Sequence, residues 1–151
     1  MDYYVDAQLR RFNLLISQIE ASYHEAAVKM GLSDSAMLIL YTICWCGNEC
    51  LLRDITSGAS RQTVNSALRK LEADGIVYLE SAGGRKKKVC LTQKGDRLVQ
   101  DTVLHLIEIE NDIFGGWTKE EKNTYVELTQ RYLSSFQEKA GELYERKFKQ
   151  E

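Results

Sequence analysis

Apolar residues recur at steps of three and four near the start of the chain, where Leu9, Phe12, Ile16, Ile19, Tyr23, Ala27 and Met30 mark one stripe of a helix over about residues 6–30. Gly31 ends that helix, and the hydroxyl of Ser33 suits the cap of a second, because it accepts from an otherwise unpaired backbone N–H. Met37, Leu40, Ile43 and Cys44 give the second helix a buried face, and it ends near Gly47-Asn48. The pattern then shortens: residues 50–75 hold two short helices and a turn. Leu51, Leu52 and Ile55 anchor the first, Ser57-Gly58-Ala59 is the turn, and Ser60 caps the second, SRQTVNSALRKLEADG (60–75), which Gly75 closes. Two strand-like runs follow, 76–80 and 88–91, on either side of Ala82-Gly83-Gly84-Arg85-Lys86-Lys87, a spacing that predicts a β-hairpin. Thr92 caps a further helix running to about Ile113, with Leu98, Leu106, Ile109 and Ile113 inward. Gly115-Gly116 break the pattern, and Thr118 with Glu121 forms a capping-box signature for a final helix. Its stripe is Tyr125, Leu128, Tyr132, Phe136, Ala140, Leu143 and Phe148.

The chain has 151 residues with 44% hydrophobic, enough for one domain with a real core, or a small domain carrying long flanking helices. The absence of proline favours uninterrupted helices. No apolar run approaches the roughly 20 residues that span a bilayer. Met1 to Asp6 have neither the basic start nor the apolar stretch of a signal peptide, so the expected location is cytoplasmic, with no membrane partner. Cys44, Cys46, Cys50 and Cys90 fit a reducing compartment as small buried hydrophobes. The predicted fold class is mainly α with a small β-hairpin wing. A winged helix-turn-helix lobe over 33–97 is flanked by N- and C-terminal helical regions, 1–31 and 98–151. The long stripes of those regions exceed what a small core covers, which points to dimerisation through a second copy of the chain, a homodimer; an intramolecular helical bundle is the alternative.

The net charge of −2 conceals an uneven distribution: residues 52–97 hold ten bases against five acids, and the rest of the chain ten bases against 17 acids. A basic middle between acidic ends is an electrostatic footprint for double-stranded DNA. In the 60–75 helix, Val64, Ala67, Leu68 and Leu71 share the inward face, while Gln62, Ser66 and Arg69, with Asn65 and Arg61 beside them, face away. Arg pairs well with guanine and Gln or Asn with adenine, so these side chains suit base edges in a major groove. Ser60, Arg61, Thr63 and the helix N-terminus suit phosphates. The run Arg85, Lys86, Lys87 and Lys88 follows a two-glycine turn, and consecutive like charges are relieved by a phosphate backbone or minor groove. A solvated helix face and a charged turn that discourages edge pairing are the plainer alternatives.

The order of helix, turn, helix and basic hairpin, with SRQTVNSALRKLEADGIV (60–77) and LTQKG (91–95), resembles the MarR family of transcriptional regulators over nearly the whole chain. The resemblance implies a triangular homodimer held by the first and last helices on a pseudo-palindromic operator. It further implies a small ligand or oxidant that modulates binding from a cleft between the dimer helices and the DNA-binding lobe. One position departs from the pattern: family wings commonly carry Asp two residues before the wing Arg, and this chain has Gly83 two before Arg85. The resemblance places Tyr41 and Trp45 on the helix lining the ligand cleft, where with Phe12 they would take a small aromatic effector; core packing is the alternative.

Catalytic and metal constellations are not evident. Only two histidines exist, no phosphate loop or nucleophile–base pairing is present, and C-x-C-x3-C is not a usual zinc spacing. On a helix Cys44 and Cys46 would lie about 200° apart and could not face one ion. The sequence therefore predicts a regulator without cofactor or metal, with two rivals. One is a winged-helix module for protein–protein contact; the other is a thiol-based redox sensor using Cys50, near a turn, or Cys90, in the wing strand.

Overall fold

The computed structural model describes residues 4–47, 49–55 and 61–148. The elements are α1 (Ala7–Lys29), α2 (Asp34–Trp45), β1 (Glu49–Leu51), α3 (Leu52–Ile55), α4 (Arg61–Ala73), β2 (Val77–Ser81), β3 (Lys87–Leu91), α5 (Gln93–Asp101), α6 (Val103–Gly115) and α7 (Lys119–Phe148). They divide into two compact units, Met1–Ile107 and Glu108–Glu151.

Asp6 caps α1, and the cap expected at the second helix forms as its residue type dictates. Asp6 accepts from the backbone N–H of Gln8 and Leu9 at 2.9 and 3.0 Å, and Ser33 Oγ accepts from Ala36 N at 3.1 Å. The expected turn Ser57-Gly58-Ala59 and the cap Ser60 lie outside the described residues.

The first unit encloses its own core. Ile39, Leu40 and Ile43 of α2, Ile55 of α3, Val64 of α4, Val77 of β2 and Val89 of β3 are almost completely buried together, and Leu68, Leu71, Val99 and Val103 complete the cluster. Each such side chain contributes about 1.5–3 kcal/mol relative to exposure. From α1 only Ala27 is fully enclosed, with Met30 packed against the cluster.

The hairpin expected between residues 76 and 91 gains a third strand. The sheet order is β1-β3-β2, antiparallel throughout, with Cys50 opposite Val89 and Glu80 opposite Lys88. β1 has three residues, too few to display a period of two, so the pattern of residues 50–55 alone does not separate it from the short helix that follows. It pairs with the edge of β3 that β2 leaves open and carries Cys50 into the core.

The motif LTQKG forms the junction behind α4. Thr92 N donates to Ile76 O at 3.0 Å, and Thr92 Oγ1 donates to Gly75 O at 2.6 Å while accepting from Gly95 N at 3.0 Å. A Cβ at residue 95 would collide with the carbonyl oxygen of Ile76, so α5 approaches the strand entry this closely only with glycine there. Lys94 Nζ closes the junction on Asp74 O at 2.8 Å.

The single helix expected from Thr92 to about Ile113 is two helices. Thr102, 5% exposed, takes φ −134° and ψ −95° between α5 and α6, and its hydroxyl donates to Leu98 O at 2.5 Å. A β-branched residue with a hydroxyl offers the backbone an alternative to helical bonding, and burial of Val99 and Val103 on either side holds the break in place. Leu106 is buried as expected, but Ile109 and Ile113 are 56% and 53% exposed.

In the second unit the capping box is closed: Thr118 N donates to Glu121 Oε2 at 2.7 Å, and Glu121 N donates to Thr118 Oγ1 at 3.2 Å. The bond from the Thr118 backbone N–H, then one from the Thr118 side chain, holds the Glu121 carboxyl below its usual range. Phe114 stacks on Trp117 with centroids 4.8 Å apart, and Tyr125 meets both edge-on. Of the expected stripe of α7, Tyr125, Leu128, Tyr132, Phe136 and Leu143 are uncovered, with Leu128 47%, Tyr132 48% and Phe136 60% exposed, and the side chain of Phe148 lies outside the described residues. Among the described residues no single helix is long and apolar enough to cross a membrane.

Candidate nucleic-acid interface

α4 buries Val64, Leu68 and Leu71 and leaves Arg61, Gln62, Thr63, Asn65, Ser66 and Arg69 exposed, which is the division its spacing predicts. The helix is thereby fixed against the core on one side and presents hydrogen-bonding side chains on the other. Its N-terminal residues face a cleft of about 450 Å³ shared with the wing. The cleft is lined by Leu51, Leu52, Arg53, Arg61, Asn65, Arg85, Lys86 and Lys87. Five cations and one amide from three separate stretches of sequence thus converge on one concavity, with no carboxylate among the described lining residues.

The wing tip spans the turn between β2 and β3. Ala82 N donates to Lys86 O at 2.9 Å and Lys86 N to Gly83 O at 3.1 Å, with Gly83 at φ +93° and Gly84 at φ +57°. Both conformations favour glycine. Where the family resemblance expects an Asp to steady the tip, the position is instead a left-handed residue that lets the backbone close on itself.

The predicted residues are not all gathered there. Lys88 turns away from the cleft: its Nζ lies 2.8 Å from Glu49 Oε2 and 3.2 Å from Glu80 Oε2. The hydrogen bond to Glu49, then that to Glu80, raises the Lys88 ammonium above the ordinary lysine pKa. It fastens β1, β3 and β2 together across the sheet, and the run of four bases divides into three that line the cleft and one paired with carboxylates across the sheet. Gln62, Thr63, Ser66 and Arg69 are exposed along α4 but do not line the cleft, and Ser60 lies outside the described residues.

Arg53 is the residue that sequence reading missed. It stands on a four-residue helix, too short to have a periodic face, and its placement in the cleft follows from β1 turning the chain immediately before it. Its Nε lies 3.6 Å from Asp54 Oδ1 with the side chain 71% exposed, a weak and screened contact.

Of the three aromatics expected to face an effector, Tyr41 and Trp45 meet edge-on with centroids 5.0 Å apart, Tyr41 half-buried and Trp45 70% exposed. Phe12 lies on α1, 40% exposed.

No family model and no curated protein matches the chain. Solved structures do. NMB1585, a MarR family regulator from Neisseria meningitidis, superposes with a TM-score of 0.73 at 19% identity, covering 94% of this chain and all of the other. The S. aureus MepR–DNA complex gives 0.62 at 20% identity over 89% of this chain and 100% of that one. NadR in complex with 4-hydroxyphenylacetate gives 0.65 at 15% identity over 87% and 96%. At such identities the likeness concerns architecture: this chain has the winged-helix fold of the MarR-family regulators.

Proposed function

We propose that this protein is a DNA-binding transcriptional regulator that reads a pseudo-palindromic operator as a homodimer. The observation that carries the reading is the cleft between α4 and the wing, where Arg53, Arg61, Arg85, Lys86 and Lys87 converge beside Asn65. Guanidinium and ammonium groups in that arrangement suit a phosphate backbone, with α4 entering the adjacent major groove. Gln62, Ser66 and Arg69, on the outer face of α4, are the candidates for base edges, and Arg61 and Thr63 for phosphate. The MepR structure, which has the same fold, is of a complex with DNA.

The second copy is supported by the uncovered stripes of α1 and α7. Leu9, Phe12, Ile19 and Tyr23 on one and Tyr125, Leu128, Tyr132 and Phe136 on the other are each at least 36% exposed, an apolar stripe on each helix that a second copy would cover. Modulation by a small aromatic molecule near Phe12, Tyr41 and Trp45 is supported by the fold shared with NadR, whose structure holds 4-hydroxyphenylacetate.

Titration of the purified protein onto the DNA upstream of its own gene, beside a scrambled duplex at about 150 mM salt, tests the reading. Tight binding that prefers the upstream duplex is expected. The Arg69→Ala variant is expected to weaken that binding by about 1–3 kcal/mol and to relax discrimination between the duplexes. Absence of binding to any duplex, at any salt, would replace the reading with a winged-helix module for protein contact.

A further inference from the structure

The two sulfurs of Cys46 and Cys50 lie 2.8 Å apart across the turn from α2 into β1, and we propose that this dithiol is a site of reversible oxidation, closed to an intramolecular disulfide by hydroperoxides.

The local fold assembles the pair. Cys46 caps the C-terminus of α2, its N–H shared between Thr42 O and Ile43 O at 3.2 and 3.1 Å, and Gly47 at φ +79° reverses the chain behind it. β1 then enters the sheet with Cys50 opposite Val89, which seats the second thiol 3% exposed in the core. The seat is fixed by strand pairing on one side and by the helix end on the other, so both sulfurs are held in register by backbone hydrogen bonds.

The separation decides the chemistry. A zinc ion with bonds of about 2.3 Å to sulfur sets tetrahedral ligands about 3.8 Å apart, wider than this pair. A disulfide needs about 2.05 Å, which 2.8 Å approaches within a small adjustment of side-chain torsions. The two thiols also differ as an attacking and a resolving group must. Cys46 is exposed and meets solvent oxidant; Cys50 is buried. Burial, then the hydrogen bond with Cys46, pushes the Cys50 thiol up to about 12, so Cys50 gives up its proton only as it attacks the sulfenic acid. The remaining two cysteines are placed differently, Cys44 half-buried on α2 and Cys90 buried in β3.

In the first step the Cys46 thiolate attacks the terminal oxygen of a hydroperoxide; the O–O bond breaks, the alcohol or water leaves, and Cys46 becomes a sulfenic acid. In the second, the Cys50 sulfur attacks Cys46, the S–O bond breaks, and the hydroxyl departs as water with the Cys50 proton. Two thiols have lost one electron each, and the peroxide has taken both. The bond ties the end of α2 to the strand that delivers Leu51 to the basic cleft. The site stands on this geometry alone and does not depend on what the cleft binds.

Intact-protein mass spectrometry after treatment with hydrogen peroxide at stoichiometric excess tests it. The wild-type chain is expected to lose about 2 Da as a monomeric species, recovered by dithiothreitol, since two hydrogens leave per disulfide. Cys46→Ser, a change at an exposed position, is expected to abolish the loss, and Cys50→Ala likewise. A Cys44→Ser, Cys90→Ser double variant is expected to retain it. Persistence of the 2 Da loss in Cys46→Ser would overturn the proposal. So would a wild-type product that only gains oxygen at Cys46 or links two chains.

Discussion

α4 and α7 follow the same rule of sequence, apolar residues at steps of three and four, and meet opposite fates in the chain. The 13 residues of α4 bury Val64, Leu68 and Leu71 to within 6% of completeness. The 30 residues of α7 bury none among those described, and Leu128, Tyr132, Phe136 and Leu143 stay roughly half exposed. A periodic stripe therefore announces that a face is to be covered and says nothing about what covers it. For α4 the cover is α2 and the sheet; for α7 the proposed cover is a second copy.

The largest effects separate these two cases. Leu68→Ala removes packing that the chain itself supplies and is expected to lower unfolding stability by about 2–5 kcal/mol in urea titrations, with the sedimentation coefficient of the folded protein unchanged. A Tyr132→Glu, Phe136→Glu double variant places two charges on an exposed stripe and is expected to convert a dimer to a monomer in sedimentation equilibrium. A dimer that survives both charges would leave the α7 stripe without its proposed partner.

Next in size is the junction behind α4. Gly95→Ala forces a methyl group against the Ile76 carbonyl, and the strain is expected to cost about 1–3 kcal/mol in the same titration. An alanine protein as stable as the wild type would mean that α5 and the strand entry separate freely.

The smallest concerns the start of α7. Thr118→Ala removes one bond of the capping box and is expected to cost about 1 kcal/mol. The Glu121 carboxyl is held below its usual range by the Thr118 backbone N–H. A carboxylate whose folded pKa is depressed contributes stability present above its unfolded pKa and lost as pH falls through the folded one. The wild-type advantage over Glu121→Gln is therefore expected to be full at neutral pH and to fade below about pH 4 in thermal melts.

Much of this architecture was legible in the residues. The caps at Ser33, Thr92 and Thr118 and the positions of α1, α2 and α4 follow from local chemistry that tertiary context does not overrule. The break at Thr102 was not legible, because Leu98, Leu106 and the isoleucines beyond continue a helical period through it. Nor was β1, whose three residues exist as a strand only because β3 offers an edge.

The basic run teaches the same lesson at the candidate site. Arg85 to Lys88 are alike as letters, yet side chains alternate along a strand and the sheet gives Lys88 different neighbours from Lys87. Lys88 sits opposite Glu80, a pairing already implicit in the hairpin register, and Glu49 joins it from a strand the sequence did not reveal. Arg53 entered the cleft for a related reason: position came from β1 and not from the residue's own segment.

The most direct test of the central claim is the dependence of DNA affinity on salt, measured by fluorescence anisotropy for the wild type, Arg61→Ala, Lys87→Ala and Lys88→Met. Each cleft cation that meets a phosphate adds about 0.9 to the steepness of log affinity against log salt. The cleft residues Arg61 and Lys87 are expected each to flatten that slope by about one per half-site, while Lys88→Met leaves it unchanged. A slope insensitive to Arg61 and Lys87, or one that Lys88→Met flattens as much, would contradict the assignment of this cleft as the DNA-binding surface.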